Sequence, residues 1–171
     1  MQELWLAAVR VEARSGKTSD ADVLLARGLQ DCEGAEGAGI LWAEAVLTAP
    51  RPLRKGKMAD ALKRLNSDAH VFAAIAQMFA SDRKYDLARR YFVRATTLDS
   101  SIGDSWALFY KLECAQGTPE GAAAVLEAMK KADPHHGERW CRVSKDPGSA
   151  HQPLEVLLKK TIIDFDTLPP P

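Results

Sequence analysis

The 171-residue sequence predicts an all-α fold in which antiparallel helical hairpins stack as a short repeat array. Three observations predict it. Aromatic anchors recur at a period near 34 residues: Trp5, Trp42, Phe72, Trp106 and Trp140. Behind each anchor the apolar residues keep helical spacing, as in Trp106, Phe109 and Tyr110, or Trp5, Ala8 and Val9, which gives one buried face per helix. A second helix follows in each well-formed unit, with a small residue and then a large one at +4: Ala21-Leu25-Gly28, Ala88-Phe92-Ala95, Ala122-Leu126-Met129.

Ten helices are expected, near 3–15, 18–31, 38–48, 56–66, 69–81, 84–98, 103–116, 119–132, 137–145 and 153–165, with no strands. Gly16 and Gly117 lie eleven residues after their anchors, where glycine ends a helix cheaply in the left-handed conformation. Thr18 or Ser19 is the expected cap of the second helix. Ala49-Pro50-Arg51-Pro52 breaks the third helix early, leaving a basic loop from Arg51 to Lys57. Thr118 followed by Pro119 reads as an N-cap with proline at the first helical position. Asp133-Pro134 ends the fourth hairpin, because a residue before proline leaves the helical region. The last helix carries Leu154, Leu157, Leu158, Thr161, Ile162 and Phe165 on one stripe that closes the array, with Ile163 and Phe165 expected at its exposed edge. Residues 1–165 form one array, and 166–171 a disordered, proline-rich tail.

Composition narrows the function classes. Lys plus Arg number 23 and Asp plus Glu 23, so the net charge is zero, which argues against a generally basic nucleic-acid binder. No apolar run reaches the roughly 20 residues of a membrane span. Three cysteines without CxxC spacing fit small buried thiols in a reducing compartment. Ser15-Gly16-Lys17-Thr18 resembles the end of a phosphate-binding loop, but the position of that motif's first glycine is Val11, inside a helix. His135, His136 and Cys141 match no zinc spacing and read as a solvated loop beside a buried thiol. No catalytic residue, metal site or cofactor is expected. Glu12 and Glu113 share one register and are read as solvated or paired with an arginine of the neighbouring helix.

Helices with Trp, an aromatic at +3 and Glu at +7, paired with helices bearing Ala and Arg, resemble half-a-TPR (HAT) repeats, and the unit Val71 to Asp99 resembles a tetratricopeptide (TPR) repeat. Leu4 to Glu12, Ile102 to Glu113 and His136 to Asp146 are similar to the C-terminal repeats of the pre-mRNA-processing factor 6 family. The resemblance implies a right-handed superhelix, a nuclear location, and a protein–protein scaffold of the spliceosomal tri-snRNP with spliceosomal proteins as partners. It also implies that the chain is one end of a longer protein.

The same resemblance places the first helix of each hairpin on the concave face. Five residues after the anchors stand Arg10, Gln77, Lys111 and Lys145, and two before them Asp104 and Glu138, so one edge of the face is basic and the other acidic. These six residues are the candidate protein-binding face, with charge pairing between adjacent repeats as the competing reading. Arg51, Arg54, Lys55 and Lys57 form the candidate basic loop, through which RNA is the alternative partner. A generic TPR peptide-binding domain is a further alternative. No membrane or small-molecule substrate is expected.

Overall fold

A computed structural model describes residues 1–32 and 38–167. Among them the chain is all-α: α1 (Gln2–Arg14), α2 (Thr18–Asp31), α3 (Gly39–Thr48), α4 (Arg51–Arg64), α5 (Ala69–Ser81), α6 (Tyr85–Leu98), α7 (Gly103–Gln116), α8 (Pro119–Ala132), α9 (Glu138–Ser144), a 3₁₀ turn at Pro147–Ser149, and α10 (Leu154–Thr167). The fold class is the one the periodicity predicts. The chain forms two compact units that divide between Met78 and Phe79, inside α5.

In the first unit α1 and α2 form a hairpin closed at Gly16, whose φ of +82° is the left-handed turn expected there. The indole of Trp5 rests on Gly28, where an added Cβ would stand 3.1 Å from it. Leu6, Val9, Ala21, Leu25, Leu41 and Ala45 make the core, with Trp42 packed on its edge. Neither Thr18 nor Ser19 caps α2. The helix starts at Thr18, and Lys17 holds the cap position without a side-chain bond. α3 ends where predicted, with Ala49 extended ahead of Pro50.

The predicted loop over Arg51–Lys57 is instead the first two turns of α4. Pro50 holds the N-cap, and its carbonyl accepts from the N–H groups of Leu53 and Arg54 at 2.9 and 3.1 Å. Pro52 falls within the opening turn, where a helix has no use for the missing N–H. The prolines therefore start a helix rather than prevent one.

In the second unit α6 lies against α7, with the rings of Phe92 and Phe109 stacked at 5.6 Å. Thr118 caps α8 as expected, its hydroxyl accepting from the Gly121 N–H at 3.1 Å. Gly117 ends α7 in an extended rather than left-handed conformation (φ −105°); the left-handed cap is Asp133 after α8. Trp106, Tyr110, Val125, Met129, Trp140 and Leu158 form the core, and α10 closes it with its predicted stripe. Thr161, buried on that stripe, satisfies its hydroxyl by donating to the Leu157 carbonyl at 2.9 Å. Phe165 is not at an exposed edge: the Arg139 guanidinium covers it at 4.5 Å from the ring centre. Ile163 is exposed. Asp166 and Thr167, read from sequence as tail, complete α10, while 168–171 lie outside the described residues.

Candidate protein-interaction face

The charged residues of the first helices fall into two groups, those that join one repeat to the next and those left on the surface. Arg10 on α1 belongs to the first group. Its Nη2 donates to Glu44 Oε2 at 3.0 Å and its Nε approaches Oε1 at 3.4 Å, so the guanidinium grips the carboxylate of α3 with both nitrogens. Glu44 is buried, which makes this a pairing of one buried and one half-buried charge. The two residues are 34 apart, one repeat period.

Asp104 also joins repeats. Its carboxylate accepts from the backbone N–H of Trp140 at 2.7 Å and of Arg139 at 3.3 Å. It therefore caps α9 from the preceding first helix, satisfying donors that a seven-residue helix leaves open. Burial holds its pKa above the usual carboxylate value, and these backbone hydrogen bonds oppose the rise. Gly137 makes the approach possible: its φ is +118°, and a Cβ there would stand 2.8 Å from Asp104 Oδ1. The connecting loops are bonded too. The Gly103 N–H donates to the His136 carbonyl at 2.8 Å, and the N–H groups of His135 and His136 donate to Ser101 O. Gly103 lies flat against Trp140, where a Cβ would stand 2.2 Å from the indole.

The anchors repeat one further bond. Trp106 Nε1 donates to the Ser100 carbonyl, and Trp140 Nε1 to the Pro134 carbonyl, both at 2.9 Å and both six residues back. Each indole thus satisfies its polar edge on the loop that introduces its own helix. His135, His136 and Cys141 lie around this loop: the Cys141 thiol donates to the His135 carbonyl, and His135 Nε2 is 3.3 Å from Asp133. Cys141 is half-buried rather than buried.

Lys111 forms an ion pair with Asp166, tying α7 to the end of α10. Arg142 pairs with Asp164, and Arg139 donates to the Asp164 carbonyl at 2.6 Å. Lys145 is exposed and lines, with Arg142, Asp146, Lys160 and Cys141, an open cleft of ≈ 480 Å³. Glu138 is exposed at the start of α9, and Gln77 is half-buried on α5. Of the six predicted face residues, then, Arg10, Asp104 and Lys111 are engaged within their own unit, and Lys145 opens onto the cleft. Of the basic segment, Arg54 donates to the Ala49 carbonyl at 3.0 Å, while Arg51, Lys55 and Lys57 are exposed.

The sequence offered an arginine of a neighbouring helix for Glu113 but named no partner for Arg10, Asp104 or Lys111. Arg89 on α6 donates from Nε to Glu113 Oε1 at 2.7 Å and from Nη2 to the Gln116 carbonyl at 2.9 Å, so Glu113 is a buried partner of the preceding helix. Glu12, in the same register, pairs only loosely with Lys17, at 3.5 Å. The available signal for Glu44 was its spacing, one period after Arg10; Asp164 and Asp166 lie on the polar side of α10, where spacing marks nothing.

No family model matches the chain. It is 46% identical over 114 residues to Protein STABILIZED1 of Arabidopsis thaliana, a match over 67% of this chain and 11% of that protein. It is 48% identical over 96 residues to Pre-mRNA-processing factor 6 of Homo sapiens, covering 56% of this chain and 10% of the relative. It is 37% identical over 155 residues to Pre-mRNA-splicing factor prp1 of Schizosaccharomyces pombe, covering 90% of this chain and 17% of the relative. The chain thus spans less than a fifth of the length of each of these relatives.

Proposed function

We propose, from the premise that this chain is homologous to a segment of pre-mRNA-processing factor 6 and its plant and fungal counterparts, that it is a protein-interaction scaffold acting in pre-mRNA splicing in the nucleus. The observation that carries the reading is the 37% identity over 90% of the chain with a splicing factor. The structure supports the scaffold part. Helical hairpins fixed in register by Arg10–Glu44, Arg89–Glu113 and the Asp104 cap present rigid surfaces of the kind repeat proteins use for binding. The partners are spliceosomal proteins, components of the tri-snRNP among them. In the second unit the binding surface is the cleft at Lys145 and Lys160, with Glu138 nearby in sequence at the head of α9.

The test is recovery of partners from nuclear extract on the immobilised chain after nuclease treatment, compared with a Lys145→Glu, Lys160→Glu variant. Lys111 is unsuitable for charge reversal, because losing its pair with Asp166 would loosen α10. The expected result is spliceosomal proteins retained after nuclease and lost with the double variant. Loss of every partner after nuclease would refute the scaffold reading and favour RNA on the exposed Lys55 and Lys57 of α4.

A further inference from the structure

Among the half-buried lysines and arginines of the second unit, one lacks a carboxylate. Arg89, Lys111 and Arg139 meet Glu113, Asp166 and Asp164 respectively. Lys160 of α10 meets only a neutral group: its Nζ donates to Ser149 Oγ at 3.1 Å. Asp164, one turn further along the same face of α10, is already held by Arg142 and Arg139 from α9. Lys159, adjacent in sequence, is exposed and has its own acid in Glu155 at 2.9 Å. Among the described residues no acid pairs with Lys160. A partly desolvated charge without a counter-charge is costly, so this position favours an anion from outside.

Lys160 faces the open cleft of ≈ 480 Å³ between α9, the 3₁₀ turn and α10. Arg142, Lys145 and Lys160 line that cleft against one acid, Asp146, an excess of two positive charges in a chain whose net charge is zero. Asp146 leans over the 3₁₀ turn, its Oδ2 3.2 Å from where a Cβ on Gly148 would stand. Lys145 is exposed and, like Lys160, has no acid partner among the described residues. Ser149 is 3% exposed. Its hydroxyl accepts from Lys160, which fixes the ammonium in place, and retains a proton of its own to donate. Val143 and Cys141, both half-buried, add an apolar wall.

We infer that the cleft receives an extended acidic segment of a partner protein, one guest carboxylate resting on Lys160 and Ser149 while Lys145 draws in the acids beside it. Charge complementarity names the occupant. The lining holds no aromatic ring on which a base could stack, which disfavours single-stranded RNA. A recessed ammonium also suits a side-chain carboxylate, which can reach inward, better than a phosphodiester chain running along a surface. Asp164 shows the same chemistry within the molecule, one carboxylate gripped by two basic side chains of α9. The inference rests on the reading of this cleft as a binding surface and adds the chemistry it selects.

The probe is a short fluorescein-labelled peptide of alternating Glu and Gly, with a Gln–Gly peptide as its uncharged counterpart. Each is titrated against the full chain at low salt and followed by anisotropy. The Glu peptide should bind at least about tenfold tighter than the Gln peptide, the weight of one hydrogen bond between charged groups. Lys160→Met keeps the aliphatic stem, removes the ammonium and should erase about that tenfold difference. Lys145→Glu, at an exposed position that cannot upset the core, should weaken the Glu peptide at least about threefold, and Lys159→Met should change it by less than about twofold. Equal binding of the two peptides would overturn the inference, as would Glu-peptide binding indifferent to both Lys160→Met and Lys145→Glu. A single-stranded oligouridine that binds tighter than the Glu peptide and displaces it would overturn the inference in favour of RNA. A phosphoserine–Gly peptide bound at least about tenfold tighter than the Glu peptide would overturn it in favour of a phosphorylated segment. If extract partners are lost with Lys145→Glu, Lys160→Glu while the Glu peptide fails to bind, the scaffold reading stands and this inference falls. A Glu peptide that binds while the extract yields no partner gives the reverse.

Discussion

Replacing Arg89 by alanine removes the partner of a carboxylate that is nearly out of solvent. Glu113 keeps 8% of its side-chain exposure beneath Arg89, which is 31% exposed and donates at 2.7 Å. The hydrogen bond to Glu113 carries Arg89 above its usual pKa, so the arginine is charged throughout the working range. A hydrogen bond to a charged group contributes about 1.5–3 kcal/mol, and a fully buried pair loses about 3–5 kcal/mol when one member goes. Arg89 is partly solvated and also holds the Gln116 carbonyl, so the two effects pull in opposite directions. Arg89→Ala should cost about 2–3 kcal/mol, or roughly 4–12 °C in Tm for a chain of this size. Glu113→Gln should cost less, since the amide still accepts from the guanidinium. The pair Arg89→Met with Glu113→Met should recover to within about 1 kcal/mol of the parent, because no charge is left buried and unpaired. Urea unfolding followed by circular dichroism, with amide exchange across α7, reads these variants and the cycle formed by Arg89→Met, Glu113→Met, their combination and the parent. A cost below about 0.5 kcal/mol for Arg89→Ala, or single-substitution costs that simply add, would show that the pair is an ordinary surface contact and refute the reasoning.

Two further predictions concern the joint between α7 and α9. Burial raises the Asp104 pKa above the ordinary carboxylate value of 3.8, so the folded state holds this proton more firmly than the unfolded chain does. Its contribution to stability is therefore fully present in acid, declines as pH rises from about 4 through the raised folded value, and is constant above it. Asp104→Asn keeps an accepting oxygen for the cap and removes the titration, so the stability difference between parent and variant should move toward the parent as pH is lowered; a pH-independent difference in urea midpoint would contradict this. Gly103→Ala forces a methyl to 2.2 Å from the Trp140 indole, a rigid neighbour, and should cost about 3 kcal/mol, the upper range for overpacking. Gly56→Ala in α4 meets nothing within 4 Å and should gain about 0.5–1 kcal/mol from helix propensity; thermal melts of the two variants that move together would refute the assignment.

What the sequence made legible was local. Anchor spacing, helical periodicity and the Thr118-Pro119 start depend on residues within one or two turns of each other, and the structure places all of them as read. Pro52 was misread for a different reason: proline ends a helix when internal and opens one when first, and which applies depends on where Pro50 turns the chain. The candidate face was legible as a register but not as an inventory of partners. Asp104 looked like a surface acid because the donors it satisfies belong to a helix 35 and 36 residues away. Lys111 looked available because Asp166 had been assigned to the tail. Burial of Glu44 and Glu113 likewise depends on arginines supplied by other helices, Arg10 and Arg89.

The short helix α9 has a consequence for the order in which the second unit is lost. Seven residues cannot sustain a helix in water, so this segment depends on tertiary contacts: Asp104 and the Ser101 carbonyl of the α7 side hold its entry, and Trp140 packs in the core. α7 and α8 close their own hairpin, whereas α9 leans on both neighbours, on α7 through the Asp104 cap and on α10 through the Arg142–Asp164 pair and Arg139 over Phe165. Under mechanical load, or in the presence of a protease, the last hairpin should peel away first and as a single step, carrying the α10 stripe with it. The polarity of that peeling would be written by one carboxylate reaching forward across a repeat boundary.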